Sequence, residues 1–352
     1  MTIDLGSDLR YLVCFLGAFA VTLAVTPIAQ RAAIRFDVFD HPTVADHKSH
    51  DSPVPYLGGL AIVAAFAVSL YFAFGGMYEL FAILIAATGL SVVGFVDDHR
   101  TLGPGVKFGA QVLAALVVWS FGTRILLFHI PVLDLALTVF WIVGITNSFN
   151  LLDNMDGLSA GVAAIAAAFF WVLAAYNGQY LVGTLAVVLC GACLAFLIYN
   201  FDPARIYMGD AGALFLGFML AVIGVRLKFT NTNTITWGVP LLILGYPIFD
   251  TTLVTFCRKW HGLPASRGGR DHSSHRLVRM GLSKRHAVLA LYLVTASLGF
   301  LALVLSTSTW MQALGILGAA SGLALTAGFM FFSVDVYGDA GRRHPKAPGP
   351  AK

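Results

Sequence analysis

The stretch NSFNLLDNMDGL at 147–158 sets amides and carboxylates between two strongly apolar runs. Asn147, Asn150, Asp153 and Asp156 recur every third residue, a spacing that predicts one face of a helical turn. Gly157 then permits a tight backbone before the next apolar run. A carboxylate at the centre of a membrane helix costs about 2.5–3.5 kcal/mol on insertion scales, so such clusters mark sites more often than packing. Further carboxylates stand at Asp97-Asp98, at Asp210 in YMGDAG and at Asp250, with cationic groups at Lys48, His50, Lys107, Arg267, Arg270, His272, His275 and Arg276. Gathered carboxylates repel one another without a cation. Hard oxygen ligands of this kind suit Mg²⁺ or Mn²⁺, and the absence of a tight Cys/His cluster in the sequence argues against zinc. Carboxylates, a divalent cation and cationic side chains together fit phosphoryl transfer, where they stabilise charge developing on phosphate oxygens. Taken singly, each piece also has a plainer reading: Asp97-Asp98 as a solvated helix end, Lys107 as an interfacial lysine, Asp210 as a helix cap, and Asp250 as a structural group beside the bend at Pro247.

The elements that must position these groups are membrane helices. The chain has 352 residues, 58% hydrophobic and 11% charged, a composition outside the range of soluble globular domains. Apolar runs of about 20 residues recur along it, which excludes the short alternating strands of an outer-membrane barrel. The expected fold is therefore an all-α polytopic integral membrane protein with about eleven spans, near 9–30, 55–74, 79–96, 107–123, 132–147, 157–176, 180–199, 209–227, 235–256, 285–306 and 310–333. The first run lacks a basic leader and outruns a signal core, so it reads as an uncleaved span. Placing the N-terminus outside and the C-terminus in the cytoplasm puts all 22 Lys and Arg residues inside except Arg10, Arg124, Arg226 and Lys228. On that map every polar motif falls at a cytoplasmic helix end. The net charge of +4 follows from this topology and gives no case for nucleic-acid binding. Residues 1–336 read as one transmembrane domain with a basic loop at 257–286, and 337–352 as a disordered cytoplasmic tail rich in Pro, Gly and basic residues. Cys190 and Cys193 form a C-x-x-C inside an apolar run, which reads as small-residue packing.

Six motifs in order, HDSPVPYLGG (50–59), GFVDDHRTLGPGVKFGAQ (94–111), NSFNLLDNMDGLSAG (147–161), YMGDAGALFLGF (207–218), PIFDTT (247–252) and RDHSSHRL (270–277), resemble the polyprenyl-phosphate N-acetylhexosamine-1-phosphate transferases. The resemblance is to the WecA/TagO-like branch of glycosyltransferase family 4, related to the MraY translocases. It implies a bacterial inner-membrane enzyme, its site facing the cytoplasm, that moves a sugar-1-phosphate, most commonly GlcNAc-1-phosphate, from a UDP-sugar to undecaprenyl phosphate and releases UMP. Carried over by motif, Asp210 is a Mg²⁺ ligand with Asn150 as a second. Asp97 and Asp98 lie beside the lipid phosphate, Lys107 holds that phosphate or the diphosphate, and Asp153 sits at the reaction centre. Asp156 lies toward the uridine, and His272, His275 and Arg276 close over the donor's phosphates. Lys48, His50, Asn147 and Arg270 join them as candidate substrate contacts. Direct attack by the lipid phosphate and a double displacement through an aspartyl intermediate are both open.

One departure stands out. Relatives commonly carry H-x-H-H in the last motif, where this chain reads His272-Ser273-Ser274-His275. That disfavours a MurNAc-pentapeptide translocase, whose branch resembles a contiguous His triplet, and leaves a non-catalytic lipid-binding relative as an alternative. A transporter is the rival from another class, but it predicts carboxylates near mid-span rather than at helix ends. The apolar lipid-facing helices are compatible with a homodimer.

Overall fold

A computed structural model describes residues 5–40, 54–74, 78–229, 235–265 and 268–337. Lys48, His50 and the tail from 338 lie outside the described residues. The described chain is a bundle of helices: α1 (Leu5–Arg35), α2 (Gly58–Phe74), α3 (Tyr78–His99), α4 (Pro104–Ser120), α5 (Pro131–Leu152), α6 (Leu158–Tyr176), α7 (Tyr180–Asn200), α8 (Gly209–Arg226), α9 (Gly238–Ile243), α10 (Gly245–Trp260), α11 (Ser273–Arg279), α12 (Lys284–Thr307) and α13 (Trp310–Phe332). Among the described residues, eight of these helices are long and apolar enough to cross a bilayer, and α2 and α4 are shorter apolar helices. The protein is a multi-pass, essentially all-α membrane protein. Two two-residue strands, β1 (Phe39–Asp40) and β2 (Val54–Pro55), pair antiparallel, and Tyr207 N–H donates to Pro55 O at 2.9 Å, tying this hairpin to the start of α8.

Apolar surface on all sides suits either the centre of a bundle or its lipid-facing rim. Helix α8 takes the centre: every residue from Ala211 to Gly224 is buried. It packs against α5 and α3, while α7 packs along α6 and α1. Helix α13 takes the rim, with only Ala313 and Phe331 buried. The span expected at 235–256 is interrupted, α9 ending at Ile243 and α10 starting at Gly245. Pro247 explains the break, because it lacks the N–H that would bond the Ile243 carbonyl and its ring crowds that turn.

The helix ends decide where chemistry can occur. The C-termini of α3 and α5 and the N-termini of α4 and α8 carry Asp97, Asn150, Lys107 and Asp210, and hydrogen bonds join these four side chains at one end of the bundle.

Candidate active site

Lys107 Nζ donates to Asp97 Oδ2 and to Asp210 Oδ2, both at 2.8 Å. Asn150 Nδ2 donates to the other oxygen of Asp210 at 2.8 Å. Four helices, α3, α4, α5 and α8, thus each deliver one polar group to one knot. Its members retain some exposure, 23% for the Lys107 side chain and 26% for Asp210, so the knot faces an open cavity and not a sealed core. Asp97 Oδ1 also accepts the Leu102 N–H at 2.6 Å, which turns the chain from α3 into α4 and aims Lys107 back at Asp97.

Asp98 does different work. Its Oδ1 accepts the Asp210 N–H at 2.9 Å and its Oδ2 the Ala211 N–H at 3.3 Å. The residue before α8 is Met208, which has no side-chain oxygen to cap the helix, so Asp98 satisfies those orphan N–H groups from a neighbouring helix. A carboxylate there also complements the positive end of the helix dipole. Gly209, at φ +68°, permits the turn; a Cβ at that position would lie 2.5 Å from Asp98 Oδ2. Asp210 is therefore a residue of the first turn and not the cap itself.

The regular three-residue spacing at 147–156 does not run along a single helix face. Helix α5 ends at Leu152, Asp153 is its C-cap, and Asp156 follows in a turn closed by Gly157 at φ +75°. That turn is gripped from both sides: Asn200 Oδ1 accepts the Gly157 N–H at 3.1 Å, and Tyr292 donates its hydroxyl to Gly157 O at 2.5 Å. Asp156 Oδ2 accepts the Ala204 N–H at 2.9 Å. Asn147 points elsewhere: its Nδ2 donates to Gln111 Oε1 at 2.6 Å and to Val143 O at 2.8 Å. It braces α5 against α4, one turn from Asn150 and Lys107, and does not line the cavity.

The basic loop supplies the opposite wall. Asp250, 1% exposed, accepts His272 Nδ1 at 2.7 Å and the backbone and hydroxyl of Ser273 at 2.7 and 2.6 Å. Arg258 forks onto Asp271 with two 2.8 Å bonds and holds Ala265 O with a third. Burial disfavours the Asp271 carboxylate, but hydrogen bonds from Arg258 and Tyr337 outweigh it and hold its pKa down to about 2. Ser274 Oγ donates to Asn154 Oδ1 at 2.7 Å. Ser274 Oγ also lies 3.3 Å from His275 Nδ1, and His275 Nε2 is buried with no hydrogen-bond partner among the described residues. Burial, His272 and Arg270 press the His275 pKa down to about 4, so the ring is neutral at pH 7.

A cavity of about 370 Å³ lies between these walls, lined by Asp98, Asn150, Asp153, Asp156, Asp210, His272 and His275 of the expected set. Arg258, Asn154, Asn200, Tyr56 and Tyr207 also line it and were not singled out from the sequence. Asp97 and Lys107 reach it through Asp210. Arg270 is exposed and outside the lining. Arg276 departs from its expected place over donor phosphates: it is 1% exposed and donates to Asp271 O, Phe331 O and Val334 O at 2.8, 2.6 and 3.1 Å. Asn154 and Arg258 had signals, as an amide within 147–158 and a cation ending a span, but neither spacing nor type separates such groups from connectors.

The residues around Asp210 fit a divalent cation. Among the described residues no three His, Cys, Asp or Glu side chains converge as a closed metal cage. Mg²⁺ needs no such cage, since it binds through one or two protein oxygens and keeps the rest for water and phosphate. Rotating the Asn150 amide by half a turn places Oδ1 where Nδ2 stands, 2.8 Å from Asp210 Oδ1. A carboxylate oxygen of Asp210 and the amide oxygen of Asn150 are the hard ligands that such an ion would take here.

Residues 80–228 match the model of Glycosyl transferase family 4. The chain is 36% identical over 317 residues to the probable undecaprenyl-phosphate N-acetylglucosaminyl 1-phosphate transferase of Bacillus subtilis (strain 168), covering 86% of this chain and 87% of the relative. It is 30% identical over 326 residues to the decaprenyl-phosphate N-acetylglucosaminephosphotransferase of Mycolicibacterium smegmatis, covering 81% and 79%. A phospho-N-acetylmuramoyl-pentapeptide-transferase of Anoxybacillus flavithermus is 32% identical over 249 residues, covering 63% of this chain and 76% of that protein. With a membrane bundle that gathers the motif residues at one end, the chain belongs to glycosyl transferase family 4, among the polyprenyl-phosphate N-acetylhexosamine-1-phosphate transferases.

Proposed function

We propose that this protein transfers N-acetylglucosamine-1-phosphate from a UDP-sugar to undecaprenyl phosphate, releasing UMP, as a membrane step of cell-envelope polysaccharide synthesis. The knot formed by Lys107, Asp97, Asp210 and Asn150 carries this reading, because it sets one ammonium and a candidate Mg²⁺ pair on the edge of a cavity large enough for a sugar nucleotide. Longer stretches of the GlcNAc transferases than of the pentapeptide transferase align with the chain, which favours GlcNAc as donor.

In this reading an oxygen of the lipid phosphate attacks the β-phosphorus of the donor, and the bond from that phosphorus to the bridging oxygen breaks. UMP leaves with the bridging oxygen. Lys107 offsets charge on the phosphate oxygens, Asp97 holds the ammonium in place, and His272, oriented by Asp250, meets the donor diphosphate from the loop. Mg²⁺, held by Asp210 and Asn150, would neutralise the diphosphate.

This reading keeps the topology expected from the sequence: α1 to α8, the broken pair α9–α10, α12 and α13 count as eleven spans, and the basic residues put the N-terminus outside and the site at the cytoplasmic face of the inner membrane. The test supplies purified protein with undecaprenyl phosphate, Mg²⁺ and a panel of UDP-sugars. UMP and a lipid-linked GlcNAc that disappear in Asp210→Asn are expected. Folded protein that turns over none of the donors overturns the reading, and UMP with UDP-MurNAc-pentapeptide alone moves the chain to the other branch.

A further inference from the structure

Helix α13 faces outward along most of its length, yet the residues after it fold back onto the donor-side loop. Phe331 O and Val334 O accept Arg276, and Asp335 O accepts Arg279 Nη1 at 2.6 Å. Tyr337 then donates its hydroxyl to Asp271 Oδ2 at 2.7 Å, and its ring lies 4.4 Å, centroid to centroid, from that of His261. Asp271 is the carboxylate that forks Arg258, and it immediately precedes His272. Arg258, Gly268, Gly269 and His272 all line the cavity. One buried carboxylate therefore collects a cation from α10 and a phenol from the segment beyond α13, and it sits next to a residue that faces the substrate. Burying Arg258 and Asp271 is costly unless every hydrogen bond is made, so losing one donor loosens the whole junction.

We propose that Tyr337 is a positioning residue for the sugar-nucleotide donor, the segment 334–337 acting as a strap that holds residues 268–272 against the cavity through Asp271 and Arg258. The inference rests on the donor-binding role proposed above. Among the described residues Tyr337 hydrogen-bonds to Asp271 and Asp335 and to no lining residue of the α3, α4, α5 or α8 wall, so its effect falls on the donor and spares the lipid phosphate.

Tyr337→Phe removes one hydroxyl and keeps the ring against His261. In the full-length enzyme it is expected to raise the donor KM about 3- to 10-fold, leaving the acceptor KM and the melting temperature near wild type. Backbone hydrogen exchange of residues 268–272, read without substrate, should become several-fold faster. An unchanged donor KM, an unchanged loop exchange rate or an acceptor KM that rises in parallel each overturns the inference. A wild type that gives no UMP with any UDP-sugar instead overturns the proposed function, and this inference with it.

Discussion

The carboxylate of Asp98 accepts the backbone N–H of Asp210 at 2.9 Å, so one member of the paired aspartates holds the helix that presents the third. Asp98→Ala should uncap α8 and lower stability by about 1–2 kcal/mol, with a large loss of turnover because Asp210 shifts. Asp98→Asn keeps an oxygen acceptor but no charge, and should fall between Ala and wild type. Thermal melts alongside UMP release check the order. Equal stability in all three proteins would remove the capping role.

Lys107→Met takes away the ammonium between Asp97 and Asp210. The expected outcome is a fall in kcat of about 10²–10³-fold, the scale of losing one preorganised charge-stabilising donor. Lys107→Arg is expected to rescue poorly, because a planar fork cannot reproduce the two contacts of a compact ammonium. Steady-state kinetics on folded variants decide.

Ser274→Ala severs the link to Asn154 that ties α11 to the turn after α5. A neutral hydrogen bond is worth about 1 kcal/mol, so a donor KM raised about fivefold is expected, with a small drop in melting temperature. Restoration by Ser274→Thr would show that the hydroxyl, and not the small volume, is what the site needs.

His275 gives a pH signature. Its folded pKa of about 4 lies below the ordinary value of 6.5, so the unfolded chain takes up the proton first. Stability from this group is constant above about pH 6.5, falls by up to about 3 kcal/mol as pH drops to 4, and levels off below. Chemical unfolding at several pH values should show that slope, and His275→Gln should flatten it.

Chelation of divalent ions should abolish UMP release reversibly. Independently of turnover, Mg²⁺ together with UDP-sugar should raise the melting temperature of wild type and leave Asp210→Asn unmoved.

Much of this was legible in the chain. Apolar runs announced the helices, and carboxylates and amides at their ends announced a common site. Partners set by packing were hidden. Asn147 and Asn150 are of one type and three residues apart, yet one turns to Gln111 and the other to Asp210, which depends on how α5 is rotated against α4 and α8. Arg276 carried the look of a phosphate ligand, but its carbonyl partners at Phe331 and Val334 lie 55 and 58 residues away, beyond any local spacing. Asp98 and Asp97 are adjacent and differ in role because successive residues at a helix end point to different neighbours.

The contact between Tyr337 and Asp271 also has a consequence for biosynthesis. Asp271 precedes α12 and α13 in the chain, whereas Tyr337 leaves the ribosome only after both have emerged. The knot of Asp97, Lys107, Asn150 and Asp210 needs only elements up to α8, whereas the hydroxyl of Tyr337 can reach Asp271 only after α12 and α13 have been made. Of the contacts on that loop described above, the one from Tyr337 is thus the last that the order of the chain allows.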